Sequence, residues 1–128
     1  MKILVIEDSR LFEAVIRRAL TKAGHEVIVT ADGQKGLDIA RSVRPDLVLL
    51  DMMLPGLSGT DVLEALKKHP ATSDIPVFVL TGLSRKNEEK LLLAGAARYF
   101  EKSDLLVRDN FAQVVDAIGS LVPQKISL

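Results

Sequence analysis

The chain has 128 residues, of which 48% are hydrophobic and 27% are charged, a composition typical of one globular domain. Its 17 Lys and Arg residues balance 17 Asp and Glu residues, which argues against a global basic field that would recruit nucleic acid or an anionic membrane. Without cysteine, there is no disulfide framework and no thiolate chemistry. No apolar run is long enough for a signal-peptide core or a membrane span, so we expect a cytoplasmic protein.

Two patterns alternate along the chain. Short runs rich in Val, Ile and Leu are typical of buried parallel strands. We predict five of them, at Ile3–Ile6, Val27–Thr30, Leu47–Leu50, Val77–Leu80 and Arg98–Phe100. Stretches with helical spacing or helix start and stop signals lie between and after them. The five predicted helices are one on Leu11–Leu20 ended by Gly24, Gly33–Val43, one carrying Val62, Leu63 and Leu66, about Lys86–Ala94, and one on Phe111–Val122 ended by Pro123.

Five strand–helix units predict an α/β fold in three layers, a doubly wound parallel sheet covered on both faces by right-handed crossovers. No internal repeat, low-complexity segment or linker interrupts the pattern. We therefore expect a single domain over residues 1–128, with a core over about 1–122 and a short tail at 123–128. In such folds, ligands bind beyond the carboxyl ends of the strands.

Polar residues stand at those strand ends. The stretch PDLVLLDMMLPGLSG, residues 45–59, sets Asp51 between two apolar segments, where an unpaired carboxylate is costly to bury. The other strand-end residues are Glu7, Asp8, Thr81 and Lys102. Each has a simpler explanation alone: an acid suits a helix N-terminus, and a threonine or lysine at a strand end is common. Their joint placement at one rim favours a functional site.

The residue types indicate the chemistry. Clustered carboxylates repel one another and attract a cation, and an oxygen-only ligand set favours a hard ion such as Mg²⁺. A carboxylate can also attack phosphorus and form an aspartyl-phosphate. Lys102 would then pair with phosphoryl oxygens, and the Thr81 hydroxyl would donate a hydrogen bond to them.

On these residues the chain resembles a receiver domain of two-component response regulators, of the chemotaxis-regulator type. The resemblance covers Met1 to about Val122. It rests on the acidic pair Glu7-Asp8, the DMMLPGLSG stretch, Thr81, and Tyr99 three residues before Lys102. It implies a flavodoxin-like (βα)5 sheet with strand order 2-1-3-4-5.

The resemblance also implies residue roles. Asp51 would accept a phosphoryl group from a histidine kinase or a histidine phosphotransfer protein, assisted by Lys102. Mg²⁺ or Mn²⁺ would be held by Glu7, Asp8, Asp51 and the backbone carbonyl of Met53. Thr81 and Tyr99 would form a switch pair that changes the face around helix four, strand five and helix five.

The output implied by the resemblance is a contact with a downstream protein, or a homodimer through that same face, and not an enzymatic reaction. Six residues follow Val122, which leaves no room for a DNA-binding domain in this chain, although a longer protein is an open alternative. We expect no direct contact with nucleic acid or membrane. The domain would assist only its own phosphorylation and slow dephosphorylation.

Several positions depart from the common family pattern. Glu7 stands where Asp is frequent, Gly82 where a larger small residue is usual, and Ser103 where proline is usual. The missing proline leaves the Lys102–Ser103 geometry open. Met53 and Leu83 are apolar and cannot orient a water molecule, which predicts a long-lived phosphoryl group.

Three alternative functions remain open at this point. A pseudo-receiver would keep the fold and bind partners without phosphorylation. A phosphatase with an aspartate nucleophile would need a DxD pair after the first strand, where this chain reads EDSR. A flavin protein would need a glycine- and hydroxyl-rich phosphate cradle, which the EDSRLF stretch lacks.

Overall fold

The computed structural model describes residues 1–82, 88–105 and 111–121. Its five strands, β1 to β5, lie at Lys2–Ile6, Glu26–Thr30, Leu47–Asp51, Val77–Thr81 and Arg98–Glu101. All five predicted strands are present, and each predicted boundary is within one residue of the observed one. The strands form one parallel sheet with the order β2-β1-β3-β4-β5, as predicted.

Five helices follow the strands. They are α1 Arg10–Lys22, α2 Gly33–Val43, α3 Gly59–Lys68, α4 Glu88–Leu93 and α5 Ala112–Gly119, and a short helical turn lies at Lys102–Asp104. The prediction for α2 is correct at both ends. The predicted start of α4 at Lys86 lies outside the described residues, and that helix ends one residue earlier than predicted.

The prediction for α5 was wrong at its carboxyl end. The apolar stripe predicted a helix up to Val122, but the helix ends at Gly119. Leu121 lies in a turn, where its N–H donates to the carbonyl of Ile118 at 3.0 Å. Apolar spacing marks residues that contact the core, and a turn after a helix can satisfy the same spacing.

Helix starts and ends follow the local chemistry of the sequence. The side chains of Ser9, Asp32 and Ser58 each accept a hydrogen bond from a backbone N–H of the first turn of α1, α2 and α3. After α1, Gly24 has a φ of 94°, a conformation open to glycine at little cost. Arg44 ends α2 with a φ of 52°, just before Pro45.

Helices cover both faces of the sheet and enclose two apolar clusters. On the side of α2, α3 and α4, the cluster consists of Leu, Ile, Val, Met and Ala, and we call this the aliphatic side. On the side of α1 and α5, the cluster contains four phenylalanines, and we call this the aromatic side. These are Phe12, Phe78, Phe100 and Phe111. Among the described residues, no helix is both long enough and apolar enough to cross a membrane.

Candidate functional site

Strand alternation brings three charged side chains to one side of the sheet rim. In β1 and β3, every second residue packs on the aromatic side, and the pattern points Glu7 and Asp51 to that side. In β5, Phe100 packs on the aromatic side, so Lys102 continues the same register two residues later. These ends lie next to each other because β1, β3, β4 and β5 are neighbours in the sheet.

The Lys102 ammonium joins two buried carboxylates. Its Nζ lies 2.8 Å from Oε1 and 3.1 Å from Oε2 of Glu7, and 3.2 Å from Oδ2 of Asp51. Only the contact with Glu7 Oε2 has the direction of a hydrogen bond, so Glu7 Oε1 and Asp51 Oδ2 are held by charge alone. Two of the strand-end acids predicted from sequence, Glu7 and Asp51, therefore contact the predicted strand-end lysine directly.

Glu7 is a buried acid whose pKa departs from its usual value. It is 2% exposed, and this burial raises its pKa from 4.5 to about 7. The Lys102 ammonium and the backbone N–H of Ser9 lower the pKa again in part, whereas the nearby Asp51 carboxyl raises it. Among the described residues, Lys102 is the one cation in contact with both carboxylates, so Glu7 shares its ammonium with Asp51 and burial outweighs this compensation.

Asp51 is fixed by its own loop and by the start of α3. Its Oδ1 accepts a hydrogen bond from the N–H of Met53 at 3.0 Å. A Cβ on Gly59 would overlap the backbone of Met52 and would lie 2.7 Å from the carbonyl oxygen of Asp51. Only glycine lets α3 begin so close to the end of β3, so Gly59 fixes the position of the Asp51 backbone.

The acidic residues have the geometry of a cation site. One carboxylate oxygen from each of Glu7, Asp8 and Asp51 lies within 4.8 Å of the other two. Glu7 and Asp51 are buried, whereas Asp8 is exposed and opens the cluster to solvent. Two buried oxygens here, Glu7 Oε1 and Asp51 Oδ2, lack a hydrogen bond. Clustered carboxylate oxygens that lack hydrogen bonds and lie beside an exposed acid fit a hard divalent ion that keeps some of its water.

Thr81 and Tyr99 lie on the other side of the same rim. Thr81 ends β4 and is fully buried, and Tyr99 is half-buried on the neighbouring strand β5. Val79 pairs with Tyr99, and alternation points Val79, Thr81 and Tyr99 to the aliphatic side. The predicted switch pair therefore shares one face, opposite to the Lys102 cluster.

Residues 3–110 match the family described as the response regulator receiver domain. The chain belongs to the response regulator receiver family. A relative in Brucella anthropi, the polar-differentiation response regulator DivK, is 36% identical over 101 residues, which are 78% of this chain and 82% of that protein.

Two solved receiver structures are similar and carry metals. The Mn²⁺-bound form of response regulator Rcp1 has a TM-score of 0.76 and 29% identity, over 93% of this chain and 91% of that one. The receiver domain of the sensor histidine kinase PA1611 from Pseudomonas aeruginosa, with Mg²⁺ in its active site cleft, has a TM-score of 0.71 and 30% identity. That alignment covers 79% of this chain and 84% of the other.

Of three positions named above for their departure from the family pattern, the structure describes two, Ser103 and Met53. No cis peptide bond occurs in the described residues, so Lys102–Ser103 is trans and enters the helical turn Lys102–Asp104. Met53 is 59% exposed beside the receiver's acidic cluster. Leu83 lies outside the described residues, and the long phosphoryl lifetime stays a prediction.

Two residues of this receiver site were missed by the sequence analysis. Ser9 donates its N–H to Glu7 Oε2 at 3.0 Å. The ring of Phe12 lies under the Lys102 ammonium, with 4.7 Å between Nζ and the ring centroid. Phe12 shares a helix face with core residues, and that periodicity alone predicts packing. The Phe12–Lys102 contact depends on the fold, which brings the first turn of α1 to the end of β5.

Proposed function

We propose that this receiver is one domain, residues 1–128 with a core over about 1–122, that accepts a phosphoryl group on Asp51. The donor would be the phosphohistidine of a histidine kinase or of a histidine phosphotransfer protein. A single observation carries the proposal: a lysine ammonium lies 3.2 Å from a buried aspartate oxygen at the open rim of the sheet. Such an ammonium can neutralise charge that arrives on that oxygen.

The transfer needs little from the protein beyond positioning and charge compensation. An oxygen of Asp51 attacks phosphorus, and an O–P bond forms while the P–N bond of phosphohistidine breaks. The bonding electron pair leaves with the imidazole nitrogen, which takes up a proton. Lys102 pairs with a phosphoryl oxygen, and the Thr81 hydroxyl donates to another once its side chain turns inward.

The donor set suits Mg²⁺, with Mn²⁺ as a substitute. Glu7, Asp8 and Asp51 would hold the ion, with the backbone carbonyl of Met53 as a further ligand. Bound there, the ion would neutralise negative charge on the phosphoryl oxygens. It would also relieve the repulsion between Glu7 and Asp51, which the single Lys102 ammonium leaves partly uncompensated.

The output of this domain would be a protein contact, not an enzymatic reaction. Thr81 moving toward the phosphoryl group would vacate space on the aliphatic side, and Tyr99 would follow it. The surface formed by α4, β5 and α5 would then change, where Leu92 and Leu93 are already exposed. This surface would bind a downstream protein or a second copy of the chain, in the cytoplasm and without direct contact with nucleic acid or membrane.

The test is the intact mass of the protein after incubation with acetyl phosphate and Mg²⁺. Wild type should gain one phosphoryl group, Asp51→Ala should gain none, and EDTA should prevent the gain in wild type. Asp38→Ala is the matched control, since Asp38 is an exposed acid on α2. No gain in wild type would contradict the proposal and favour a binding-only pseudo-receiver.

A further inference from the structure

We propose that Phe12 is a positioning residue for Lys102. The face of its ring holds the ammonium beside Asp51, and Phe111 holds the ring in place. The inference rests on the proposed phosphorylation of Asp51, but its structural part concerns only where the ammonium lies.

The first observation is the position of the ring. Phe12 stands in the first turn of α1, is 5% exposed, and has its centroid 4.7 Å from Lys102 Nζ. The Lys102 side chain is only 19% exposed, so little water competes for the ammonium. A cation over an aromatic face within about 6 Å is attracted by the ring quadrupole, and the attraction grows as water is removed.

The ring of Phe12 leaves the hydrogen-bond donors of the Lys102 ammonium available to oxygen atoms. A lysine ammonium has three donors and no acceptor. Glu7 and Asp51 both lie within salt-bridge distance of Nζ. An aromatic face attracts the ammonium without an oxygen that would compete with these carboxylates or with an incoming phosphoryl group. A leucine would occupy part of the same space but would leave that side of the cation without an attracting group.

The third observation is the support behind the ring. Phe111 packs against Phe12 edge to face, with centroids 5.1 Å apart and an interplanar angle of 76°. Phe111 is 1% exposed and has a φ of 73° just before α5, a conformation that disfavours a bulky residue. The backbone is therefore held in an unfavourable conformation at the point where Phe111 contacts Phe12.

Hydrogen bonds also connect the ammonium to the helix start that carries the ring. Glu7 Oε2 accepts from Lys102 Nζ at 3.1 Å and from the N–H of Ser9 at 3.0 Å. Ser9 Oγ in turn accepts from the N–H of Phe12 at 3.3 Å. The acid that binds the ammonium thus also fixes the helix start that carries the ring, so ring and ammonium keep one relative position.

The experiment replaces Phe12 with mono-, di- and trifluorophenylalanine, which weaken the negative ring face with little change in shape. The rate of phosphorylation by acetyl phosphate with Mg²⁺ should fall stepwise along the series, and Phe12→Leu should lower it about tenfold. The same series at Phe78 is the control. Phe78 is 1% exposed and packs on Phe100, and no cation lies over its ring among the described residues.

A second readout needs no phosphorylation. In the unmodified protein, ring current from Phe12 should shift the Lys102 Hε resonances upfield, and Phe12→Leu should remove this shift while Phe78→Leu keeps it. The positioning role would be overturned if Phe12→Leu removed the Lys102 Hε shift while the phosphorylation rate stayed unchanged along the fluorinated Phe12 series. A missing upfield shift in wild type would overturn the contact itself. If Asp51 takes no phosphoryl group even in wild type, the proposed function fails while the resonance shift still tests the contact.

Discussion

The two sides of the sheet are built from different residues. All four phenylalanines of the chain pack on the aromatic side, between the sheet and α1 and α5. The buried cluster on the aliphatic side has no aromatic residue among those described, and Tyr99, the one tyrosine of the chain, packs partly against it. Rings are rigid and their faces attract cations, whereas aliphatic side chains repack at lower cost.

This difference matches the division of roles that we propose. Glu7, Asp51 and Lys102 point to the aromatic side, where a phenylalanine face lies under the ammonium. Thr81 and Tyr99 point to the aliphatic side, where packing can change when the hydroxyl moves. Changes to the charged cluster and to the ring beneath its ammonium should therefore alter phosphorylation most, and changes to the aliphatic packing should mainly alter stability or output.

The largest effect should come from Lys102→Met. This change keeps an apolar stem but removes the ammonium between Glu7 and Asp51. Loss of a preorganised charge-stabilising group typically costs about a hundredfold or more in rate, and we expect that loss in phosphorylation by acetyl phosphate. Phosphoprotein formed per minute, followed by intact mass, is the measurement.

Lys67→Met is the matched change on the opposite side. Lys67 is half-buried, but its Nζ donates to the carbonyls of Ile75 at 2.7 Å and Ser73 at 3.3 Å and takes no part in the Glu7–Asp51–Lys102 cluster. This variant should lose about 1–2 kcal/mol of stability and keep a phosphorylation rate within about twofold of wild type. Equal rate losses in both lysine variants would contradict the division between the two sides.

Glu7→Gln should show a pH-dependent gain in stability without metal. Burial raises the pKa of Glu7 to about 7 from 4.5, so the folded state binds a proton between these values more readily than the unfolded state. Wild-type stability should fall as the pH rises from about 4.5 to about 7, and the loss is complete above 7. The variant lacks this loss, so at pH 8 it should be more stable by about 1–3 kcal/mol.

Urea unfolding in EDTA measures the difference in free energy of unfolding between Glu7→Gln and wild type. It should narrow toward zero as the pH falls below 4.5, where the carboxyl is protonated in both states. Glu64→Gln, at an exposed acid on α3, should show no such trend. A gap of equal size at pH 4 and pH 8 would show that the substitution acts through packing and not through charge.

Gly59→Ala tests the point where the aliphatic side meets Asp51. The new methyl group would overlap the backbone around Met52, which cannot rotate away as a side chain can. We expect a loss of about 1–3 kcal/mol in urea unfolding, together with slower phosphorylation because the end of β3 is displaced. Gly119→Ala in α5 meets no atom within 4 Å and should be neutral or slightly stabilising. Equal stability of both variants would show that the backbone of Met52 leaves room for a methyl group at position 59.

Most of the fold followed from the sequence because the strands are continuous apolar runs. A parallel sheet buried on both faces requires such runs, and their ends identified Glu7, Asp51 and Lys102 without any structure. Rim position is a consequence of topology, so the grouping of these residues was predictable. The helix boundary after Gly119 was not, since a turn continues the apolar spacing.

The contacts between elements were beyond the sequence. Phe12 and Lys102 are 90 positions apart, and no local pattern distinguishes a core phenylalanine from one under an ammonium. The pKa of Glu7 also depends on tertiary structure, since burial raises it and the contact with Lys102, 95 positions away, lowers it in part. Tertiary distance decides both properties, and sequence spacing does not encode it.

Tyr99→Phe should have the smallest effect on the chemistry. The ring stays packed on the aliphatic side and only the hydroxyl is lost, so phosphorylation should stay within about twofold of wild type. The response of α4 should change instead. Backbone amide shifts at Glu88–Leu93, recorded with and without the phosphoryl mimic beryllofluoride and Mg²⁺, should move less in the variant. Phe100→Leu on the aromatic side of the same strand is the comparison and should leave the α4 response intact. An unchanged α4 response in Tyr99→Phe would mean that Tyr99 only packs and takes no part in the switch.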